Sequence, residues 1–119
     1  MNEILVLIIE DDVDVSTFFA EALKSAGFKV ETILDGATAE TRLQEIVPNI
    51  VILDLHLPLV GGIRLLKQIR SDARLVHTRV LVVTANDSLV NHVKNEADKV
   101  LIKPVSIRKL RSTVENLIK

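Results

Sequence analysis

Five residues in this sequence have the types and the spacing to do chemistry together: Glu10, Asp11, Asp54, Thr84 and Lys103. Glu10 and Asp11 follow an apolar run that ends Ile8-Ile9, and Asp54 closes the run Ile50 to Leu53 with a lone carboxylate. Charges at the edge of an apolar core are ordinarily paired or bound to a cation. If these acids meet, each pair repels by roughly 4 kcal/mol at about 4 Å and an effective dielectric near 20, so the cluster must protonate or bind a cation. A hard divalent ion such as Mg2+ suits it, because Mg2+ needs only one or two carboxylates and keeps several waters. Asp11 and Asp54 are placed as direct ligands. With charge drawn from an incoming phosphoryl group, a carboxylate can attack it and form an acyl phosphate. Lys103 would supply a mobile cation for the phosphoryl oxygens and Thr84 a hydroxyl hydrogen bond.

Each residue also has a plainer reading. Asp11 and Asp12 could be acids opening a helix, Asp54 could open the turn towards Pro58, Gly61 and Gly62, Thr84 could cap a helix, and Lys103 could be a surface lysine. What separates the two readings is whether the fold brings all five together.

The hydrophobic periodicity says that it does. Ile4 to Ile9 and Ile50 to Leu53 are unbroken apolar runs rich in β-branched residues, which suits strands buried on both faces. Lys29 to Ile33, Arg79 to Val83 and Val100 to Ile102 read as three further strands. Between them lie helical patterns. Val15, Phe18, Phe19, Ala22, Leu23 and Ala26 recur at helical spacing up to Gly27, Ala37 to Ile46 runs up to Pro48, and Gly62 to Ser71 turns Ile63, Leu66 and Ile69 inward. A short helix bearing Leu89, Val90 and Val93 is capped by Asp87 or Ser88, and Ser106 caps a last one bearing Ile107, Leu110, Val114 and Leu117. Strand and helix alternate five times, so the fold class is α/β: a (βα)5, flavodoxin-like three-layer sandwich with a parallel sheet in the order 2-1-3-4-5. In such a sheet the ligand site lies beyond the carboxyl ends of the strands where the strand order reverses, here between the first and third. Those are the two strands that end in acids.

At 119 residues the chain is expected to be one domain, residues 1–119. No apolar stretch approaches the ~20 residues needed to span a bilayer, and the chain runs directly into a strand, so a cytoplasmic protein without membrane contact is expected. There is no cysteine, which excludes disulfides and thiolate metal sites. A net charge of -1 with neither Tyr nor Trp gives no case for direct nucleic-acid binding. His56, His77 and His92 have no metal-ligand spacing among themselves and read as ordinary polar positions.

Taken together, Ile8-Ile9-Glu10-Asp11-Asp12, Leu53-Asp54-Leu55-His56-Leu57-Pro58 with Gly62, Val83-Thr84-Ala85 and Lys103-Pro104 resemble the receiver domain of two-component response regulators over essentially the whole chain. The resemblance implies that Asp54 is the phosphoacceptor and that Asp11 and Glu10 are the Mg2+ acids, Glu10 through water, with the main-chain carbonyl of His56 as a further ligand. It implies that Thr84 is the switch hydroxyl and Lys103 the phosphate-sensing lysine, its bond to Pro104 often being cis in relatives. A sensor histidine kinase or a histidine phosphotransfer protein would donate the phosphoryl group. The chain would be a signalling domain rather than an enzyme, beyond its own Mg2+-dependent phosphorylation and autodephosphorylation, and would control an output partner or domain. The fourth helix, fifth strand and fifth helix often form the family's signalling or dimer face, which puts a homodimer among the expected partners.

The sequence departs from the family pattern in two places. Val100 stands where receivers commonly carry a switching Tyr or Phe, and the segment between Thr84 and Lys103 is about one helical turn short, with Glu96 at a usual Gly. Two other functions fit part of the pattern. One is a receiver-like interaction module that is never phosphorylated. The other is a small aspartyl-phosphate phosphatase of the haloacid-dehalogenase kind, which typically carries a second Asp where this chain has His56.

Overall fold

A computed structural model describes residues 3–57 and 60–119. The turn expected at Pro58 lies outside the described residues. Five strands, β1 (Leu5–Ile9), β2 (Lys29–Ile33), β3 (Ile50–Leu53), β4 (Arg79–Thr84) and β5 (Lys99–Ile102), form one parallel sheet in the order β2-β1-β3-β4-β5. They alternate with helices α1 (Val13–Ser25), α2 (Gly36–Glu45), α3 (Gly62–Ser71), α4 (Val90–Val93) and α5 (Ile107–Leu117). This is the expected flavodoxin-like sandwich.

Why the apolar strands lack period-2 alternation is visible in the packing. Val6, Ile8, Ile50, Ile52, Leu81 and Val83 meet Phe19 and Leu23 of α1 and Leu110 and Val114 of α5. Their alternates Leu7, Ile9, Val51, Leu53, Val80 and Val82 meet Leu43 of α2, Leu65, Leu66 and Ile69 of α3, and Val93 of α4. Both sheet faces are covered, so successive residues are buried on opposite sides. No helix among the described residues is long and apolar enough to cross a membrane.

The helix ends follow the local chemistry. Asp12 caps α1 by accepting from the Asp14 and Val15 N–H groups, and Asp35 caps α2 through Thr38. At the far end of α1, Gly27 sits at φ 96° while its N–H bonds to the Lys24 carbonyl and that of Phe28 to the Leu23 carbonyl, a Schellman stop that needs glycine's freedom.

Three local expectations are corrected. Phe18 does not join the core: it is 48% exposed, because a residue adjacent to buried Phe19 lies about 100° round the helix. In α3 the fully buried residues include Leu65, which the spacing argument passed over, whereas Ile63 is only half-buried. The segment after β4 is a 3-10 turn (Asp87–Leu89) followed by the four-residue α4, and its cap is Asn86, which accepts the Ser88 N–H at 3.0 Å, rather than Asp87 or Ser88. Leu65→Ala is therefore expected to cost about 2–5 kcal/mol and Ile63→Ala markedly less, read as the difference between their thermal unfolding midpoints.

Candidate functional site

Glu10, Asp54 and Lys103 are each held one step beyond the end of a strand by a backbone bond that continues the sheet, and Thr84 is the last residue of β4. The Glu10 N–H donates to the Ile33 carbonyl at 3.0 Å, the Asp54 N–H to the Ile9 carbonyl at 3.0 Å, and the Lys103 N–H to the Thr84 carbonyl at 2.9 Å. Lys103 is followed by a cis bond to Pro104. The sheet thus fixes the roots of three charged side chains, at the ends of β1, β3 and β5.

Those side chains converge. Carboxylate oxygens of Glu10, Asp11 and Asp54 all lie within 4.8 Å of one another, Glu10 and Asp54 buried and Asp11 exposed. Lys103 Nζ donates to Glu10 Oε1 at 2.6 Å and to Asp54 Oδ2 at 3.4 Å. The second oxygens of Glu10 and Asp54 are held by the main chain: the Asp12 N–H donates to Glu10 Oε2 at 3.1 Å and the His56 N–H to Asp54 Oδ1 at 3.0 Å. Buried Thr84 accepts the Asn86 N–H on its Oγ1 at 3.1 Å, which leaves the hydroxyl proton to donate elsewhere. His56 is exposed at the rim. Asp12, by contrast, turns its side chain onto the start of α1.

Gly62 is what lets the start of α3 lie directly against the Asp54–Leu55 backbone. A Cβ there would lie 2.5 Å from both the Asp54 carbonyl oxygen and the Leu55 Cα, backbone atoms that cannot move aside without displacing Asp54.

The electrostatics match the geometry. Burial pushes the Glu10 carboxyl up to about 7, with Lys103 pulling it down and Asp54 pushing it further up. Burial works against the Lys103 ammonium, yet its bonds to Glu10 and the Asp54 charge outweigh this and hold its pKa above the ordinary lysine value. One ammonium therefore compensates three acids incompletely. The donor set consists of hard carboxylate oxygens with no thiolate and no imidazole, which fits Mg2+ better than a soft metal. The cavity over the site measures about 480 Å3, against ~30 Å3 per water, and is lined by Glu10, Asp11, Asp54, His56, Thr84 and Lys103. It has room for a phosphoryl group and a hydrated cation. Asp87 and Leu89 also line it, residues whose spacing marks them in the sequence only as parts of the short fourth helix and its cap.

The response regulator receiver domain family model matches residues 6–115. Among relatives, the phosphate regulon transcriptional regulatory protein PhoB of Rhizobium meliloti is 32% identical over 117 residues, 96% of this chain and 52% of that protein. The chain spans about half the length of the transcriptional regulators it matches. Among solved structures, the chemotaxis response regulator CheY4 of Vibrio cholerae superposes with a TM-score of 0.87 at 26% identity, covering 98% of this chain and 99% of that one. The response regulator TrrA of Thermotoga maritima, in complex with Mg2+-BeF, gives 0.86 at 21% identity, with 95% and 97% covered, a likeness of fold.

Proposed function

The chain belongs to the response regulator receiver domain family, the signalling domain of two-component systems, and from that membership we propose that Asp54 is its phosphoacceptor. The observation that carries the proposal is the nest itself: a buried carboxylate held between Glu10, Asp11 and the Lys103 ammonium at the mouth of the sheet. Asp11 and Asp54 would hold Mg2+ directly, with Glu10 through water and the His56 carbonyl as a further ligand. Mg2+, when bound, draws charge from the phosphoryl oxygens.

In the transfer, an Asp54 carboxylate oxygen forms a bond to phosphorus as the phosphorus–nitrogen bond to a donor imidazole breaks, and the imidazole, already protonated on its other ring nitrogen, leaves as the neutral ring. The main-chain N–H of His56 aims the Asp54 carboxylate. Lys103 moves onto the phosphoryl oxygens, and the Thr84 hydroxyl donates to one of them. The cycle of self-phosphorylation and autodephosphorylation is the only catalysis proposed, which sets the domain apart from a phosphatase with turnover.

The donor is a sensor histidine kinase or a histidine phosphotransfer protein, and the output is a further domain, a separate partner or a second copy of the chain. Since relatives are about twice as long, an attached output domain fits their architecture. A cytoplasmic site of action completes the proposal.

Incubating the chain with Mg2+ and a small acyl phosphate should give a single phosphoryl mass gain that needs the metal and maps to the peptide containing Asp54. No gain, or a gain mapping elsewhere, would overturn the reading in favour of a phosphorylation-independent interaction module. The half-buried Val100 packs against the α2–α3 side of the core without reaching the site. Val100→Ala should accordingly leave the rate of mass gain within about twofold of native, since switching here works through populations of the loop after Thr84 rather than an aromatic rotamer.

A further inference from the structure

We propose that Arg70 is a fixed pivot for the segment between Thr84 and β5, so that a change at the site moves residues 85–92 and stops there. The inference rests on the phosphoacceptor reading of Asp54.

The Arg70 guanidinium ties together the end of α3, the start of β4 and the approach to β5. Its Nε donates to the Glu96 carbonyl at 2.6 Å, Nη1 to the Thr78 carbonyl at 3.0 Å and Nη2 to Asp98 Oδ2 at 2.6 Å. The same Asp98 oxygen accepts the Val80 N–H at 2.7 Å, and the Asp98 N–H donates to the Val80 carbonyl at 2.9 Å. Both side chains are only 25% exposed, and a planar guanidinium fork that satisfies three acceptors at once fixes their relative position. Next to this clamp, Val93 is 1% exposed and anchors α4 in the core.

The site end of the segment is held differently. Thr84 Oγ1 accepts the Asn86 N–H and the Asn86 side chain accepts the Ser88 N–H, while Ala85 to Ser88 are all exposed and Leu89 and Val90 only half-buried. When the Thr84 hydroxyl swings to a phosphoryl oxygen it gives up the Asn86 N–H. The stretch then has one loose end and one clamped end. With α4 only four residues long, little rigid helix lies between them to carry motion onward. The surface that changes is Asn86, Asp87, Ser88, Asn91 and His92, all exposed, and this patch is what a partner would read.

Hydrogen exchange on the full chain, with and without Mg2+ and beryllofluoride, tests the pivot. In the native chain the probe should change exchange at residues 85–92 while residues 94–100 stay within about twofold. Arg70→Met, and independently Asp98→Asn, which keeps an acceptor for Val80, should let the change spread into 94–100. Without the probe, both variants should already raise exchange at 94–100 by roughly tenfold while 85–92 stay as in the native chain. A native response that reaches 94–100, or variants whose 94–100 segment exchanges like native in the probe-free arm, would overturn the pivot. Failure of the phosphoacceptor reading looks different: the probe would then leave residues 54–57 and 84–86 unchanged in the native chain, and the probe-free arm would still decide the pivot.

Discussion

The variant Asp54→Asn is expected to fold as well as the native chain and to take up no phosphoryl group. The two halves of that result have separate causes. For stability, the charge at Asp54 feels Lys103 at 3.4 Å and the oxygens of Glu10 and Asp11 within 4.8 Å. At an effective dielectric near 20 these amount to an attraction of about 5 kcal/mol and a repulsion of about 3.5 kcal/mol from each fully ionised neighbour. The repulsions are reduced because Glu10 is only partly ionised at neutral pH and Asp11 is exposed. Attraction and repulsion therefore nearly offset. An asparagine Oδ1 still accepts the His56 N–H, and Lys103 keeps Glu10 at 2.6 Å, so the change in unfolding free energy should stay within about 1 kcal/mol.

For chemistry, an amide offers neither a nucleophilic carboxylate oxygen nor an anionic ligand. The phosphoryl mass gain should fall by more than about a hundredfold. The chain has no Trp, so Mg2+ affinity is best followed by calorimetry, where the loss of one of three acids should weaken binding about tenfold or more. A stable Asn variant that still gains a phosphoryl group would remove Asp54 from the mechanism.

How much of this was legible beforehand depends on how local the signal is. The strands were readable from five short apolar or alternating runs, and their order is the common one for five parallel strands alternating with helices. Convergence of Glu10, Asp54, Thr84 and Lys103 then followed from topology alone, since each ends or follows a strand. What escaped was set by angles and by distant partners. Phe18 and Phe19 look alike in composition, yet only the register of α1 on the sheet decides that Phe19 is the one buried. Leu65 and Ile63 differ in the same way. Asn86 was passed over as a cap because a 3-10 turn begins one residue earlier than the expected α-helix. Arg70 and Asp98 lie 28 positions apart in the sequence, and nothing short of the packed structure pairs them. Lys103 was read for its phosphate-binding role, whereas without a phosphoryl group its shorter contact is to Glu10.

That contact sets the second expected result: Lys103→Met should make stability fall steeply with pH above neutrality, and Mg2+ should restore part of that stability without restoring the chemistry. In the folded native chain Glu10 keeps its proton up to about pH 7, against an ordinary 4.5. The folded state binds more protons than the unfolded one between those values, so this group's contribution falls by ~3 kcal/mol as pH rises through the window and levels off above it. Removing Lys103 takes away the ammonium paired with Glu10 at 2.6 Å, so the carboxyl rises further and the falling window runs on past pH 7. With each chain referred to its own stability at pH 6, the variant should go on losing stability from pH 7 to 8.5 where the native curve levels off, and loss of the Lys103–Asp54 attraction sets it lower at every pH. Mg2+ supplies the missing positive charge, and at about a hundred times its dissociation constant it stabilises by ~2.7 kcal/mol, which offsets part of the deficit. The phosphoryl mass gain should nevertheless stay slowed by ~10²–10³, because a hydrated metal cannot replace a side-chain ammonium aimed at the far phosphoryl oxygens. Denaturant unfolding across pH 6 to 8.5, with and without Mg2+, reads the first part and mass gain against time the second. An unchanged pH profile would mean that Lys103 does not hold Glu10 in solution, and full recovery of the rate by Mg2+ would remove the ammonium from the transfer step.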